Sequence, residues 1–178
     1  MNIDQLKFPI GKFKSKGILS PEEISSNIQE IEELPQLLIN SLESLDDNQL
    51  DTPYRPDGWT MRQVCHHIAD SHLNAYCRFK LTLTEDLPEI RPYDQDKWAD
   101  LIESSSAPVS ISLNIISSIH ARWVLALKNM NYEDWSRMYI HPEEKNKYSL
   151  HHLLATYAWH GKHHLNHILN LKKTKGWD

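Results

Sequence analysis

The densest group of residues that could do chemistry is the segment His160-Gly161-Lys162-His163-His164. His160 and His164 are four positions apart, so on a helix their imidazole rings lie on the same face. Two imidazoles at this spacing can bind one metal ion, as they do in the zincin motif, where a catalytic Glu follows the first His. Here Gly161 occupies that position. The segment therefore predicts a metal site but not zincin chemistry.

A third metal ligand has to come from another part of the chain, which contains 11 histidines. His66, His67 and His72 are candidates on one predicted helix, and His120 is a candidate on another. We expect His66 to point away from the apolar stripe of its helix, whereas His67 and His72 flank that stripe on opposite sides. Periodicity does not choose between these two. Three protein ligands with open positions are typical of a catalytic metal site, so the remaining candidates would support a ligand or face the substrate.

The other histidines are expected to be non-ligands because they lie in a polar connection, in a first helical turn, off the apolar stripe or, for His167, at its edge. They are His141, His151, His152, His163 and His167. A buried histidine that binds no metal needs another hydrogen-bond partner, and that is the alternative interpretation of every candidate. Gly161 lies inside a helix, where glycine costs roughly 0.5–1 kcal/mol relative to alanine, and this predicts a close approach at that point.

Four segments have helical periodicity and would position these residues. They run from Ser20 to Leu45 with Pro35 inside, from Thr60 to about Thr84, from about Val109 to Met130, and from Ser149 to just before Gly176. Two long connections, 85–107 and 131–148, separate them, and the second has room for a small hairpin. The pattern predicts an all-α fold, a four-helix bundle with long crossover connections, in a single domain over residues 1–178.

Composition excludes several classes of protein. The formal net charge of −5 argues against a nucleic-acid partner, since phosphate binding needs a basic excess. We find no secretory signal and no uninterrupted apolar run approaching the ~20 residues of a membrane span. Cys65 and Cys77 lie twelve positions apart on one predicted helix, beyond disulfide reach, and two free thiols indicate a cytoplasmic protein.

Five segments resemble the YfiT group of the DinB-like superfamily and together span nearly the whole chain. They are Leu6 to Phe13, Gln49 to Asp86, Arg91 to Leu101, His120 to Trp123, and Tyr157 to Ile168. One departure is Asp57, where the resemblance leads us to expect glycine. This change affects the geometry of a loop and not the metal ligands.

The resemblance implies a cytosolic homodimer with one divalent metal ion per subunit, Zn²⁺ or Ni²⁺. It implies His67, His160 and His164 as the three ligands, and so selects His67 over His72. Members of the group are described as metal-dependent hydrolases and, in some cases, as bacillithiol S-transferases. The expected substrates are small electrophilic molecules, with bacillithiol as a co-substrate in the transferase version.

A metal ion on these ligands could lower the pKa of bound water for hydrolysis, or bind a thiol as thiolate for S-transfer. Asp70, one turn beyond His67, is a candidate for orienting that ring, with a solvent-facing carboxylate as the alternative, and His120 is a second supporting candidate. Arg78 and Arg122 are candidates for binding the carboxylates of bacillithiol, and the alternative for each is a surface role. The alternative functions are a non-catalytic metal-binding or sensing protein, and a structural homodimer with hydrogen-bonded histidines.

Overall fold

The computed structural model describes residues 2–177. The helices are α1 (Ile3–Lys7), α2 (Pro21–Leu42), α3 (Asp47–Leu50), α4 (Met61–Thr84), α5 (Gln95–Ala99), α6 (Ile102–Ser106), α7 (Val109–Lys128) and α8 (Leu150–Lys175). A short 3₁₀ helix (Tyr132–Ser136) and an antiparallel hairpin, β1 (Met138–His141) and β2 (Asn146–Ser149), lie between α7 and α8. The four long helices α2, α4, α7 and α8 form the predicted bundle.

Side-chain caps define the starts of three long helices. Ser20, Thr60 and Ser149 each accept a hydrogen bond from the backbone N–H three residues later, which satisfies a donor that the helix itself leaves free. At the other end of α8, Gly176 adopts the left-handed conformation with φ 68°, which glycine tolerates without steric cost. These boundaries agree with the sequence predictions.

The first long helix ends earlier than its apolar stripe predicts. Pro35 lies inside α2, which continues to Leu42 and not to Leu45. Asp46 does not close that helix but caps the short helix α3, since its carboxylate accepts from the N–H of Gln49 at 2.9 Å. The local cap competes successfully with continuation of the stripe.

The bundle has an up-down-down-up arrangement. Pairs of contacts that advance together along the chain show that α4 runs parallel to α7: His66 meets Ser112, and His72 meets His120. In the same way α2 runs parallel to α8, because Glu30 pairs with Lys162 and the carbonyl of Ser41 accepts from Lys172. The predicted connection between α4 and α7 therefore returns along the length of the bundle, as parallel neighbours require.

Two apolar clusters fill the interior. One contains Ile28, Phe79, Trp123 and Leu153 with their neighbours, and the other contains Leu38, Val64, Ile116 and Ile168 with theirs. Along each long helix these two sets occupy different ends, and the histidines at 72, 120, 160 and 164 fall between them, while His67 lies beside Ile68 in the second set. The middle of the bundle is thus a layer of imidazoles between two apolar layers.

One helix among residues 2–177, α7, is long and apolar enough to cross a membrane by length and composition alone. The sequence analysis found no uninterrupted apolar run of this length, and α7 is not one, because Ser, Asn, His and Arg interrupt its apolar residues. In the structure α7 packs against α2 and α4, and His120 and Trp123 on it are buried. The core helix of a bundle meets the same criteria as a membrane span, so this finding is weak evidence for one.

Candidate metal centre

The structure brings together the three histidines that the resemblance implies as ligands. His67 comes from α4, and His160 and His164 come from successive turns of α8. One ring nitrogen from each lies within 4.8 Å of the other two, and the Nε2 atoms of His67 and His160 are 3.2 Å apart. Three imidazoles from two helices thus converge on one place.

The donor set fits a divalent cation. Two nitrogens bound to one tetrahedral Zn²⁺ at about 2.0–2.1 Å lie about 3.3 Å apart, close to the distance between His67 and His160. Burial lowers the pKa of His67 to about 4 and that of His160 and His164 well below 6.5, so all three rings are neutral at pH 7. Neutral imidazole is the ligand form that Zn²⁺ and Ni²⁺ bind. The same 3.2 Å separation also fits one N–H···N hydrogen bond, and metal analysis distinguishes the two arrangements.

Gly161 lets α8 approach α2 beside these ligands. A Cβ atom on this residue would lie 2.4 Å from Cδ2 of Leu34, far inside van der Waals contact. The close approach predicted from a mid-helix glycine is therefore confirmed, and the approaching group is a leucine of α2. The packing of α8 against α2 fixes the position of His160 and His164 along the bundle axis.

Behind His160 lie two further histidines that the sequence analysis left as alternative ligands. His72 Nε2 is 3.2 Å from His160 Nδ1, and His72 Nδ1 is 2.9 Å from His120 Nε2. His120 Nδ1 in turn lies 2.6 Å from the carbonyl oxygen of Ile31 on α2. His72 and His120 therefore contact the far side of a candidate ligand and do not belong to the group of three.

Behind His164 lies His167, which the sequence analysis placed at the edge of the stripe. His167 Nδ1 is 3.3 Å from His164 Nδ1, and His167 Nε2 is 3.2 Å from the carbonyl oxygen of Lys7 on α1. The ring of Tyr54 stacks on His167 at 4.0 Å between centroids. This buried arrangement was not predicted; the only signal in the sequence is the three-residue spacing from His164.

His163, His164 and His167 form a second group whose ring nitrogens also lie within 4.8 Å of one another. His163 was expected off the stripe, but it is buried, and its ring stacks on Trp159 at 4.5 Å. All three residues come from one helix, and both nitrogens of His167 already have partners. The group that joins α4 to α8 is the better candidate for a metal site.

His66 is buried although it lies off the apolar stripe of α4. Its Nδ1 is 2.6 Å from Ser112 Oγ, and its Nε2 is 3.1 Å from the carbonyl oxygen of Ala107. Because α4 packs against α6, α7 and α8, it buries a wider arc than a single stripe. His66 is hydrogen-bonded elsewhere and takes no part in the candidate site.

A loop covers the centre from one side. Trp59 packs against His67 with 4.7 Å between ring centroids and lies parallel to His164 at 6.5 Å. Its loop includes Asp57 at φ 54°, the left-handed region, which explains why glycine is expected there and why Asp, which tolerates this region, is accepted. Trp59 was missed as a site residue because a loop has no periodicity from which its direction could be read.

A family model described as the DinB superfamily matches residues 30–168. The chain belongs to this superfamily. It is 47% identical over 175 residues to a Bacillus cereus protein, strain 03BB102, that carries the name of a candidate metal-dependent hydrolase, covering 98% of this chain and 100% of the relative. Its identity to the similarly named YfiT of Bacillus subtilis is 44% over 172 residues, 97% of each chain.

The fold agrees with a solved structure of the same superfamily. YfiT from Bacillus subtilis superposes with a TM-score of 0.95 and 44% identity, covering 98% of this chain and 99% of that one. It is described as a candidate metal-dependent hydrolase with an unusual four-helix bundle topology. The four-helix bundle predicted for this DinB-superfamily chain is confirmed.

Asp70 lies on the same helix as His67 but does not orient it in the structure. Among the described residues no hydrogen bond joins the two side chains; Asp70 is half-buried and not solvent-facing. Burial, and then the negative charge of Glu103, raise the pKa of Asp70 to about 6. Neither interpretation from the sequence describes this environment.

Arg78 and Arg122, the two candidates for binding a substrate carboxylate, lie in different environments. Arg78 is half-buried, donates from Nη2 to the carbonyl of Arg91 at 3.1 Å, and has a buried Nε without a hydrogen-bond partner among residues 2–177. Arg122 is exposed and lies over the ring of Tyr76 at 5.8 Å. Of the two, only Arg78 offers an unsatisfied buried donor.

The cysteines offer no nucleophile to the centre. Both are free thiols, as predicted. Burial raises the pKa of Cys65 to about 12, so this thiol stays protonated, and Cys77 is exposed on the outside of α4. The reactive group for any chemistry at the centre has to come from water or from a substrate.

Proposed function

We propose that this protein is a metal-dependent enzyme that holds one divalent cation, Zn²⁺ or Ni²⁺, on His67, His160 and His164. It acts on small electrophilic substrates, by hydrolysis or by transfer of a low-molecular-weight thiol such as bacillithiol. The observation that carries the proposal is the convergence of three neutral imidazoles from two helices in the interior of the bundle. The names of the relatives from Bacillus support the hydrolase version.

Different residues around the centre meet different requirements of such an enzyme. Burial keeps the three ligand rings neutral, and Trp59 and Tyr157 pack against them and limit the access of water. When bound, a divalent cation supplies Lewis-acid activation of water or of a thiol at neutral pH. Since neither cysteine is an activated nucleophile, the chain itself serves to bind and orient the reactants.

The S-transferase version gains support from Arg78. Its buried, unpaired Nε is a donor that a carboxylate of bacillithiol can satisfy, and charge-assisted bonds of this kind are strong. Arg122, exposed on α7, has no comparable position. The homodimer, the single domain over residues 1–178 and the cytoplasmic location stay predictions.

A non-catalytic metal-binding or sensing protein would use the same three histidines. His160 is half-buried, whereas His67 and His164 are buried, so small molecules would reach an enzymatic centre past His160. In a Co²⁺-substituted protein we expect azide to change the visible spectrum. A spectrum that azide leaves unchanged would favour the non-catalytic function.

The activity test compares Zn²⁺- or Ni²⁺-loaded protein with the free metal ion. One assay follows the loss of a low-molecular-weight thiol in the presence of a small electrophile, and a second follows the hydrolysis of small esters and amides. We expect acceleration in at least one assay, its loss in His160→Ala, and no loss in His141→Ala, whose histidine lies in the hairpin. Rates equal to those of the free metal in both assays would contradict the proposal.

A further inference from the structure

Two lines of hydrogen-bonded imidazoles lead to the candidate ligands, and each ends on a backbone carbonyl. The line behind His160 runs through His72 and His120 to the carbonyl of Ile31. A carbonyl oxygen can only accept a hydrogen bond, so the ring nitrogen that faces it must carry the hydrogen. His120 is therefore protonated on Nδ1.

The proton positions along this line follow one from another. In a neutral imidazole one nitrogen donates and the other accepts, so His120 Nε2 accepts from Nδ1 of His72. His72 Nε2 then accepts from Nδ1 of His160. His160 is left with a bare lone pair on Nε2, the atom that lies 3.2 Å from His67 Nε2.

The shorter line behind His164 gives the same outcome. His167 Nε2 faces the carbonyl of Lys7 and must carry the hydrogen. His167 Nδ1 therefore accepts from Nδ1 of His164, which leaves the lone pair of His164 on Nε2. Two lines of different length, anchored on different helices, thus place the bare nitrogen of each ring in the equivalent position.

We propose that His72, His120 and His167 are positioning residues, which hold His160 and His164 in the Nδ1–H tautomer and so present both Nε2 lone pairs to one cation. The inference rests on the proposed function for the identity of the ligands. It adds that the centre is prepared for metal before any cation binds, by residues that do not touch the cation. It also excludes the group of His163, His164 and His167 as a three-nitrogen site, because both nitrogens of His167 are in use.

The test reads the tautomers directly. Two-bond ¹H–¹⁵N correlation spectra of the full chain in metal-free form distinguish Nδ1–H from Nε2–H for each histidine. We expect Nδ1–H for His160 and His164. His120→Phe should release the tautomer of His160 and leave that of His164 unchanged, whereas His167→Phe should do the reverse.

Zn²⁺ affinity, measured by competition with a chelator, provides the second readout. Loss of a hydrogen-bond partner behind a ligand typically lowers metal affinity ~10–100-fold, and we expect a decrease of about 10-fold or more in His120→Phe and in His167→Phe. His120→Gln should restore much of it, because an amide can donate to Ile31 and accept from His72. His66→Phe is the matched control, since His66 is also buried and hydrogen-bonded on α4 but lies outside both lines.

The histidine tautomers of the wild type test the inference even if a variant does not fold. Nε2–H on His160 or His164 in the metal-free protein would overturn the inference, as would a Zn²⁺ affinity that falls equally in His66→Phe and His120→Phe. If the wild type bound no Zn²⁺, the proposed function would fail, while the tautomers would still report on the two lines. The two failures are therefore distinguishable.

Discussion

Gly161 is the point at which the packing of α2 and α8 meets the candidate metal centre, and Gly161→Ala perturbs both. The added Cβ would lie 2.4 Å from Cδ2 of Leu34, whereas carbon atoms in contact are normally about 3.5–4.0 Å apart. The side chain of Leu34 is only 3% exposed and has little room to turn away. Either Leu34 has to change its rotamer in a tightly packed interior, or the two helices have to move apart.

Two opposing terms set the expected change in stability. Overpacking a core typically costs ~1–3 kcal/mol, and replacing a glycine inside a helix by alanine gains ~0.5–1 kcal/mol. We expect the free energy of unfolding to fall by up to ~2.5 kcal/mol, the difference between these terms. Zn²⁺ affinity should fall as well, because Ile31, which anchors His120, lies one turn from Leu34 on the same helix.

Urea unfolding of the metal-free protein measures this change, and the Leu34→Ala background supplies the control. Leu34→Ala removes the clash, so adding Gly161→Ala to it should raise the free energy of unfolding by ~0.5–1 kcal/mol through helix propensity. The sign of the effect thus reverses between the two backgrounds. A Gly161→Ala variant that is more stable than the wild type in both would refute the close-packing argument.

Three further predictions concern the protonation of histidines, the buried Arg62 and the two thiols. Burial lowers the pKa of His67 and of His120 to about 4, so the unfolded chain binds protons more readily than the folded chain. The metal-free protein should therefore keep its full stability above pH ~6.5 and lose up to ~3 kcal/mol per residue as the pH falls to ~4. Urea midpoints that do not change between pH 7 and 5 would contradict this. Arg62→Ala, which removes charged hydrogen bonds of 2.6 and 2.7 Å from α4 to Asp51 and Asp47, should lower the free energy of unfolding by ~1–2 kcal/mol, since both carboxylates are exposed. Lys in its place should recover only part of this. A thiol reagent at pH 8 should modify the exposed Cys77 but not Cys65 in the native protein, and both in urea; two reactive thiols in the native state would be inconsistent with the burial of Cys65.

Local signals in the sequence were sufficient to predict the long helices of the bundle. Ser20 with Glu23 and Thr60 with Gln63 form reciprocal capping boxes, and such boxes depend only on neighbours in the chain. The i,i+4 spacing of His160 and His164 likewise depends only on helical geometry. His67 could not be selected in this way, and came from the resemblance to the YfiT group.

Features that depend on which helices become neighbours could not be predicted. His66 and His163 are buried because α4 and α8 each pack on more than one side, which periodicity along a single helix does not reveal. The contact of His72 with His120 requires α4 and α7 to be neighbours in the bundle, and the sequence of the long connection between them does not show where that connection leads. Trp59 reaches His67 from a loop, where no repeat indicates orientation.

Elemental analysis of the tag-free protein tests the metal centre most directly. We predict one divalent cation per chain in the wild type and in His163→Ala, which changes only the second histidine group. We predict no stoichiometric metal in a variant that lacks His67, His160 and His164. A wild type without stoichiometric metal, or a triple variant that keeps it, would contradict the assignment of these three residues.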